Sequence, residues 1–429
     1  MPFLHLFTIL YACAMLLLFV HASVTLAWML YTWRSPDAAG GAGFAMLRRR
    51  PRLSFTLMVP ARHEEDVLGS TLDRIARIDY PDFEILAIVG HDDHGTREVA
   101  EAAAERHPGL IRVVVDHSWP KNKPKALNTA LEHAKGDVIG IFDAEDEVHP
   151  WILRAVDHQF RATRSDVVQA GVQLVNFWSN WYSVRNVLEY FFWFRSRLHF
   201  HAEKGFIPLG GNTVFVRTEW LRDIDGWDPE SLTEDCDLGV RLSLAGATFS
   251  VAYEPEFITR EETPTSFVGW LKQRTRWNQG FLQVLSKGDW KRLPSRRLRL
   301  LAWYTLANPF IQAASGVLIP LAVVTALWGG FPVWLAILTF LPVLPTVATL
   351  VTEVIALHEL AGDLGRKARL RDYFRLVAGS FVYQVALAVA AIRAVIREQR
   401  GSKDWEKTEH VGAHRDTAAR PQEALTGVD

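Results

Sequence analysis

One stretch of the chain reads Val138-Ile139-Gly140-Ile141-Phe142-Asp143-Ala144-Glu145-Asp146, a continuous apolar run that ends in acidic residues. A short run without polar alternation is typical of a strand that is buried on both faces. Similar runs occur at 55–59, 85–89 and 111–115, and segments of helical spacing separate them. This alternation predicts an α/β fold with a mostly parallel central sheet.

Polar clusters follow three of the four apolar runs. Pro60-Ala61-Arg62-His63-Glu64-Glu65 follows the first run, and His91-Asp92-Asp93-His94-Gly95-Thr96 follows the second. With Asp143-Ala144-Glu145-Asp146 they would meet in one cleft, because parallel sheets bind ligands at the carboxyl ends of their strands. Any one cluster is equally well explained as a solvated loop or a helix cap, whereas three together favour a binding site.

These clusters indicate a phosphate-bearing ligand. The spacing of Asp143 and Glu145 suits a hard divalent cation, which prefers oxygen ligands and shares them with substrate phosphates. Asp92 or Asp93 is a candidate acceptor of hydrogen bonds from a base or a ribose. The lysines of the segment 121–125 precede a predicted helix, where helix amides also favour anions. The sequence has no Walker A loop and no GxGxxG pattern, so P-loop and dinucleotide-binding chemistry are not indicated.

Acidic residues and glycines mark a further part of this cleft. Leu209-Gly210-Gly211-Asn212 forms a predicted turn in which glycine allows close backbone approach to a ligand. Thr233-Glu234-Asp235 precedes a helical stretch, so its carboxylates are explained as first-turn acids of a helix. The alternative is that Asp235 acts as a general base that takes a proton from an acceptor hydroxyl.

The segment Gln273-Arg274-Thr275-Arg276-Trp277 combines planar cations, an amide and an aromatic face. Arginine forks suit phosphate oxygens, and an indole face suits the apolar side of a sugar ring. By itself the segment is also explained as a membrane-surface helix. Its place after the acidic clusters favours the wall of a sugar-phosphate site.

Membrane segments flank the predicted α/β domain. Residues 3–33 carry no Lys, Arg, Asp or Glu. This uncharged segment is long enough for a membrane span and too long for the apolar core of a signal peptide. The basic residues that follow place the α/β domain in the cytoplasm. The predicted divisions are a transmembrane helix at 1–34, a basic linker at 35–52, a cytosolic domain with interfacial helices at 53–290, a basic interfacial connector at 291–299, about three transmembrane or interfacial helices at 300–396, and a polar tail at 397–429.

Composition excludes several other classes of protein. The net charge is −1, which gives no indication of a nucleic-acid partner. Two cysteines, Cys13 and Cys236, are too few for a disulfide scaffold or a thiolate metal site. The partners expected are membrane lipids and small substrates, at the cell (inner) membrane.

The ordered series of motifs resembles the membrane-embedded family 2 glycosyltransferases, in the branch of the processive cellulose, chitin and hyaluronan synthases. The resemblance covers about residues 55–280. It is carried by Val59-Pro60-Ala61-Arg62-His63-Glu64-Glu65, Asp92-Asp93-His94-Gly95-Thr96, Lys123-Pro124-Lys125-Ala126-Leu127-Asn128, Asp143-Ala144-Glu145-Asp146, Leu209-Gly210-Gly211-Asn212, Thr233-Glu234-Asp235 and Gln273-Arg274-Thr275-Arg276-Trp277. Two departures are His63, where the family often has Asn, and Glu145, where it commonly has a second Asp.

The resemblance implies a GT-A fold and an inverting transfer from a nucleotide sugar, usually UDP-linked, with Mg²⁺ or Mn²⁺ as cofactor. It places Asp143 and Glu145 at the metal and Asp235 as the catalytic base. The residues implied to bind the nucleotide sugar are Ala61, His63, Glu65, Asp92, Asp93, Lys123 and Asp143. The residues implied to bind the diphosphate and the acceptor are Glu234, Gln273, Arg274, Arg276 and Trp277.

Three hypotheses about the function follow, and the first two differ in the acceptor of the sugar. The first is a polysaccharide synthase that extends a β-linked glycan across the membrane, and the second is transfer of one sugar to a lipid-linked acceptor. A small number of membrane helices makes a poor channel, so the first would require a homo-oligomer or an accessory subunit. The third hypothesis, an inactive scaffold or transporter subunit, is disfavoured by the acidic and Arg-Trp motifs.

Overall fold

The computed structural model describes residues 2–33, 50–328 and 332–402 of the 429-residue chain. The predicted basic linker, 35–52, lies outside these residues except for its last three positions. Of the predicted polar tail, 397–429, only the part up to residue 402 is described. The sequence Gly329-Gly330-Phe331-Pro332 interrupts the apolar region 300–357, which predicts a break between two membrane spans, and only Pro332 of it is described.

Seven strands of the described chain form one sheet, and two short strands form a second. The strands are β1 (Phe55–Ala61), β2 (Phe83–Gly90), β3 (Ile111–Asp116), β4 (Val138–Ile141), β5 (Val167–Ala170), β6 (Val172–Leu174), β7 (Val214–Arg217), β8 (Phe249–Ala252) and β9 (Thr259–Glu261). The main sheet has the order β3-β2-β1-β4-β7-β5-β8, and β7 runs antiparallel to both of its neighbours. The prediction of a mostly parallel sheet is therefore confirmed.

Helices on both faces bury this sheet. The helices up to the end of the α/β part are α1 (Pro2–Tyr31), α2 (Glu65–Ile75), α3 (His94–Arg106), α4 (Lys123–Leu131), α5 (Ile152–Thr163), α6 (Ser183–Phe192), α7 (Leu198–Lys204), α8 (Thr218–Asp223), α9 (Glu234–Ala245) and α10 (Phe267–Lys287). A π-helical turn, Trp193–Arg197, joins α6 to α7. Alternate residues of β1 enter opposite cores: Leu57 packs in the core that includes α2, α3 and α5, and Met58 in the core that includes α4 and α9.

The chain after α10 is helical. A short 3₁₀ turn, Asp289–Arg292, leads to α11 (Arg296–Leu306), α12 (Asn308–Trp328), α13 (Val333–Phe340), α14 (Val343–Asp363), α15 (Leu370–Ala378) and α16 (Ser380–Gln399). The predicted connector at 291–299 thus overlaps the start of α11. The predicted division into domains stays a prediction, because secondary structure alone does not locate the membrane.

Four helical segments of the described chain are long and apolar enough to cross a bilayer. They are Leu6–Tyr31, Asn308–Thr325, Val333–Asp363 and Ser380–Gln399. Large apolar side chains on them face outward, for example Val323, Ile337 and Val351. Such exposed apolar surface suits lipid rather than water, so these helices associate the protein with a membrane. Helix α16 packs against α10 and α12, which joins the α/β part to the membrane helices.

Candidate active site

A single cavity of about 1610 Å³ connects the carboxyl ends of the sheet strands with the space between the membrane helices. On the sheet side its lining includes Pro60, Gly90, Asp116, Lys123, Asp143 and Asp235. Between the membrane helices its lining includes Leu18, His21, Ile319, Val323, Leu350 and Val385. A ligand in the polar part is therefore continuous with an apolar space.

Lys123 is the central cation of the polar part. Helix α4 begins there because the Asn122 side chain caps it, accepting a hydrogen bond from the Lys125 amide. The Lys123 Nζ lies 2.5 Å from an Asp143 carboxylate oxygen and 3.6 Å from Glu234, and it donates to the Gly211 carbonyl at 2.8 Å. Burial opposes the charged form, but these carboxylates outweigh it and raise the pKa of Lys123. The site therefore keeps a positive charge in the polar part of the cavity.

Asp235 is a carboxylate that protonates near neutral pH. It stands in the first turn of α9, and its Oδ1 accepts the Cys236 amide hydrogen at 2.8 Å. Burial and the neighbouring charge of Glu234 raise the pKa of Asp235 to about 7. Arg276 and Lys123 lie close enough to act in the opposite direction. Such a pKa suits a general base, which must both accept and release a proton near its working pH.

Glycine at position 211 keeps the space beside the Asp235 carboxylate open. A Cβ added there would lie 3.3 Å from Asp235 Oδ2 and 3.8 Å from Lys123 Nζ. The predicted glycine turn therefore allows the backbone to approach both charged groups.

A cluster of carboxylates lies behind Asp143. The Asp146 carboxylate accepts hydrogen bonds from the Asp143 amide at 2.8 Å and from Asn212 at 3.0 Å, and Asn212 also donates to Glu261. Burial and the charges of Glu261, Asp143 and Glu145 raise the pKa of Asp146. A divalent cation would relieve this repulsion, and carboxylate oxygens are its preferred ligands. The residues present therefore fit a metal at Asp143 and Glu145. The Asp146 carboxylate is already occupied by its hydrogen bonds with the Asp143 amide and Asn212.

Four of the predicted nucleotide-sugar residues, all in the described part of the chain, do not line the cavity. They are His63, Glu65, Asp92 and Asp93. Asp92 forms two hydrogen bonds of 3.0 Å with the Arg62 guanidinium, which lowers the pKa of its carboxyl. Asp93 is buried, caps α3 at Thr96 and accepts the His63 amide hydrogen at 2.6 Å. Here the helix-cap explanation accounts for Asp93.

His63, Glu65 and Asp93 form a group of their own. One potential ligand atom from each lies within 4.8 Å of the others, a geometry that can hold a metal ion. This group is separate from the metal position predicted at Asp143 and Glu145.

Helix α10 brings the Gln-Arg-Thr-Arg-Trp segment to the cavity. Gln273, Arg274, Arg276 and Trp277 all line it. The Arg274 guanidinium pairs with Glu189 and Asn186 of α6, and its Cζ lies 4.6 Å from the Trp277 ring centre. Gln273 is buried, and its Oε1 has no hydrogen-bond partner among the described residues. The segment is thus folded into the protein rather than laid on a lipid surface, and Arg274 is tied to α6.

The family model described as glycosyltransferase-like family 2 matches residues 51–280, more than half of the chain. The chain belongs to this family. The matched range contains all of the strands and every residue described above in the polar part of the cavity. The family predicted from the motifs is therefore confirmed.

Two curated relatives are informative about this family 2 glycosyltransferase. The β-monoglucosyldiacylglycerol synthase of Synechocystis sp. is 28% identical over 53% of this chain and 47% of the relative. The poly-β-1,6-N-acetyl-D-glucosamine synthase of Staphylococcus epidermidis is 22% identical over 57% of this chain and 58% of the relative. The chain spans about half the length of the curated relatives it matches.

A solved structure shares the fold. A mannosyltransferase from Pyrobaculum calidifontis, in complex with GDP-Man and Mn²⁺, has a TM-score of 0.59 and 20% identity. The match covers 91% of this chain and 99% of that chain. It confirms the prediction of a GT-A fold together with helices outside the α/β part.

The sequence did not single out several residues of this family 2 site. Asp116, at the end of β3, lines the cavity and lies 3.2 Å from Lys121 Nζ. The argument that ligands bind at the carboxyl ends of parallel strands would have found Asp116, because Asp116 follows an apolar run as the other site residues do. Glu261 and Tyr190 also line the cavity, but they come from β9 and α6, and no local motif marks them.

Proposed function

We propose that this protein is an inverting glycosyltransferase that moves a sugar from a nucleotide sugar, UDP-linked in the first instance, to an acceptor hydroxyl at a membrane. The observation that carries this proposal is Asp235, a carboxylate with a pKa of about 7 in the same cavity as Lys123 and Arg276. A base of matched pKa beside cations is what transfer with a diphosphate leaving group requires.

Each residue then has a defined part in the reaction. Lys123 and Arg276 bind the diphosphate and stabilise the negative charge it gains on leaving. Asp235 takes the proton of the acceptor hydroxyl, whose oxygen forms a bond to the anomeric carbon from the face opposite the diphosphate. The bond from that carbon to the phosphate oxygen breaks, and the diphosphate leaves with the electron pair. One displacement converts an α-linked donor into a β-linked product.

Asp143 and Glu145 would hold the Mg²⁺ or Mn²⁺ of this reaction. The chemistry such an ion supplies when bound is neutralisation of the diphosphate charge. In the structure, Lys123 and Asp143 form an ion pair with each other.

The cavity favours an acceptor that carries an apolar portion. Its lining changes from charged residues near Asp235 to apolar ones between the membrane helices, such as Ile319, Val323 and Leu350. This supports transfer of one sugar to a lipid-linked acceptor, the alternative in the sequence analysis. Polysaccharide extension remains the second candidate, and the Trp277 and Tyr190 rings, 6.0 Å apart at the cavity wall, favour it.

We also propose a multi-pass arrangement in the inner membrane with the α/β domain in the cytoplasm. The four apolar segments and the basic residues of α11 support it. Export of a polymer would require a homo-oligomer or an accessory subunit, whereas glycosylation of a lipid would not.

Membranes that contain the full chain, incubated with a panel of radiolabelled UDP- and GDP-sugars, test the proposal. We expect label from one donor to enter a product extracted by chloroform and methanol, and Asp235→Asn membranes to incorporate none. A high-molecular-weight, water-phase product would instead establish polysaccharide extension. Absence of transfer and of nucleoside diphosphate release with every donor would refute the proposed activity.

A further inference from the structure

A second cationic site borders the same cavity, beside the end of α1. Arg197 closes the π-helical turn between α6 and α7, and it lines the cavity with Trp28 and Trp193. Its guanidinium carbon lies 4.1 Å from the Trp28 ring centre and 4.9 Å from the Trp193 ring centre. These cation–π contacts hold the guanidinium without using its N–H groups. π-helical turns occur frequently at functional sites.

Arg197 has no anionic partner among the residues that the structure describes. Its Nε is buried without a hydrogen-bond acceptor, and no carboxylate contributes to its electrostatics. Burial lowers the pKa of Arg197 to about 10, so the side chain keeps its charge at neutral pH. Arg197 is partly buried, and a charge partly withdrawn from water without a counter-charge lowers the stability of the fold.

Two neighbouring arginines show that the fold supplies carboxylates elsewhere. Arg195, on the same turn, lies 2.6 Å from Glu359 of α14. Arg185 of α6 lies 2.9 Å from Glu353 of the same helix. The unpaired state of Arg197 is therefore a local exception, and an anionic ligand would account for it.

The position of Arg197 indicates where such a ligand comes from. Ser196 accepts the Thr32 amide hydrogen at 2.8 Å and donates to the Trp28 carbonyl at 2.5 Å, which fixes the turn to the end of α1. Trp28, Tyr31 and Trp33 cluster at this end, as aromatic residues do at the headgroup level of a bilayer.

The surroundings of Arg197 are polar but not acidic. His21 of α1 is hydrogen-bonded to Tyr304 of α11 at 2.7 Å. Within the described residues, the buried Thr305 hydroxyl lacks a partner, and both His21 and Thr305 line the cavity. Arg197 therefore shares its cavity with further side chains that can hydrogen-bond a phosphate.

We propose that Arg197 binds the phosphate group of an anionic lipid whose apolar part occupies the cavity between the membrane helices. The planar N–H fork of arginine matches phosphate oxygens, and the apolar cavity wall favours a lipid over inorganic phosphate. That this lipid is also the sugar acceptor rests on the proposed function. Its binding does not, because the site needs neither donor nor turnover.

The test is lipid binding by the purified full chain in neutral detergent, without a nucleotide sugar. The probes are dioctanoyl phosphatidylglycerol, the uncharged dioctanoylglycerol and inorganic phosphate, and the readouts are native mass spectrometry and melting temperature. We expect the wild type to bind the anionic lipid and to melt at a higher temperature with it. We expect Arg197→Gln to raise the Kd at least about tenfold, which equals about 1.4 kcal/mol.

Two further variants separate a binding role from a structural one. Arg197→Lys keeps a charge but not the planar fork, so it should restore only part of the affinity. Arg297→Gln removes an exposed arginine of α11 and should bind as the wild type does, which excludes general attraction of anions to a basic surface. Without lipid, Arg197→Gln should melt no lower than the wild type, because it removes an unpaired charge.

Three results would overturn the proposal: equal lipid affinity in Arg197→Gln, equal stabilisation by inorganic phosphate, or a lower melting temperature of Arg197→Gln without lipid. The donor screen described above is independent of these measurements. A failed lipid assay therefore refutes the Arg197 site alone, and a failed donor screen refutes the transferase activity alone.

Discussion

The acid limb of the pH–rate profile should belong to Asp235, and Glu234→Gln should move it. With a pKa of about 7, roughly one tenth of Asp235 is ionised at pH 6 and about nine tenths at pH 8. Because a general base acts in its ionised form, kcat/KM should rise about tenfold across this range. The profile should therefore fall on the acid side around pH 7.

Removing the charge of Glu234 should lower this pKa, because a like charge is lost, although burial, the larger cause, stays. A larger fraction of Asp235 is then ionised at pH 6, so the rise in kcat/KM to pH 8 should shrink. Release of nucleoside diphosphate at low substrate concentration, measured from pH 5.5 to 8.5, gives kcat/KM directly. The readout is the shape of the profile, because Glu234 also contacts Lys123 and its loss will lower the absolute rate.

Glu230→Gln is the matched control. Glu230 also lines the cavity, but it is exposed, pairs with Lys125 and is not among the main causes of the raised Asp235 pKa. Its profile should coincide with that of the wild type. An unchanged acid limb in Glu234→Gln, or substantial turnover in Asp235→Asn, would refute the assignment of Asp235 as the base.

The same pKa makes a prediction about stability. The folded-state pKa of Asp235 is raised above its ordinary value of 3.8. The contribution of Asp235 to the free energy of unfolding is therefore complete below pH 3.8, and it is lost as the pH rises through about 7. Asp235→Asn should therefore increase the melting temperature more at pH 8 than at pH 5. An equal increase at both pH values would show that the carboxyl does not titrate in this way.

Three further predictions concern the neighbours of Asp235. Lys123→Met should raise the KM for the nucleotide sugar at least about tenfold, because it removes a buried cation from the proposed diphosphate position. Lys125→Met, at the rim of the cavity, should have a smaller effect, and equal effects of the two variants would argue against this role for Lys123. Trp277→Ala should raise the acceptor KM while donor binding, measured by calorimetry, stays unchanged, and parallel loss of both would make Trp277 a structural anchor. Chelation with EDTA should stop transfer and added Mn²⁺ or Mg²⁺ should restore it, with Asp143→Asn requiring more ion; full activity in EDTA would make the metal prediction wrong.

The α/β fold could be read from local pattern, and so could much of the polar part of the cavity. Apolar runs such as 138–142 predicted strands because a strand buried on both faces needs no polar alternation. Their carboxyl ends then had to lie side by side, which brought Asp143 near the other strand-end residues. The family resemblance, and not the pattern, supplied the roles of Asp235 and the Gln-Arg-Thr-Arg-Trp segment.

The carboxyl ends of the strands also predicted that Asp92 and Asp93 belong to the site, whereas in the structure these two residues form other contacts. A strand-end carboxylate either faces the ligand or satisfies backbone and side-chain donors of its own loop. Arg62 and the first turn of α3 provide such donors, and their geometry depends on how two loops meet. The spacing of residues along one segment carries no information about that choice.

The sequence by itself determined which segments are buried strands, which helices are apolar enough for a membrane, and which carboxylates end the strands. These properties follow from local periodicity and composition. Only the tertiary structure decided that Lys123 meets both Asp143 and Glu234, that one cavity joins the polar site to the membrane helices, and that Arg197 has no carboxylate partner in the described part of the chain. Those facts depend on contacts between residues far apart in the chain, and such contacts set the burial and charge that tune a site.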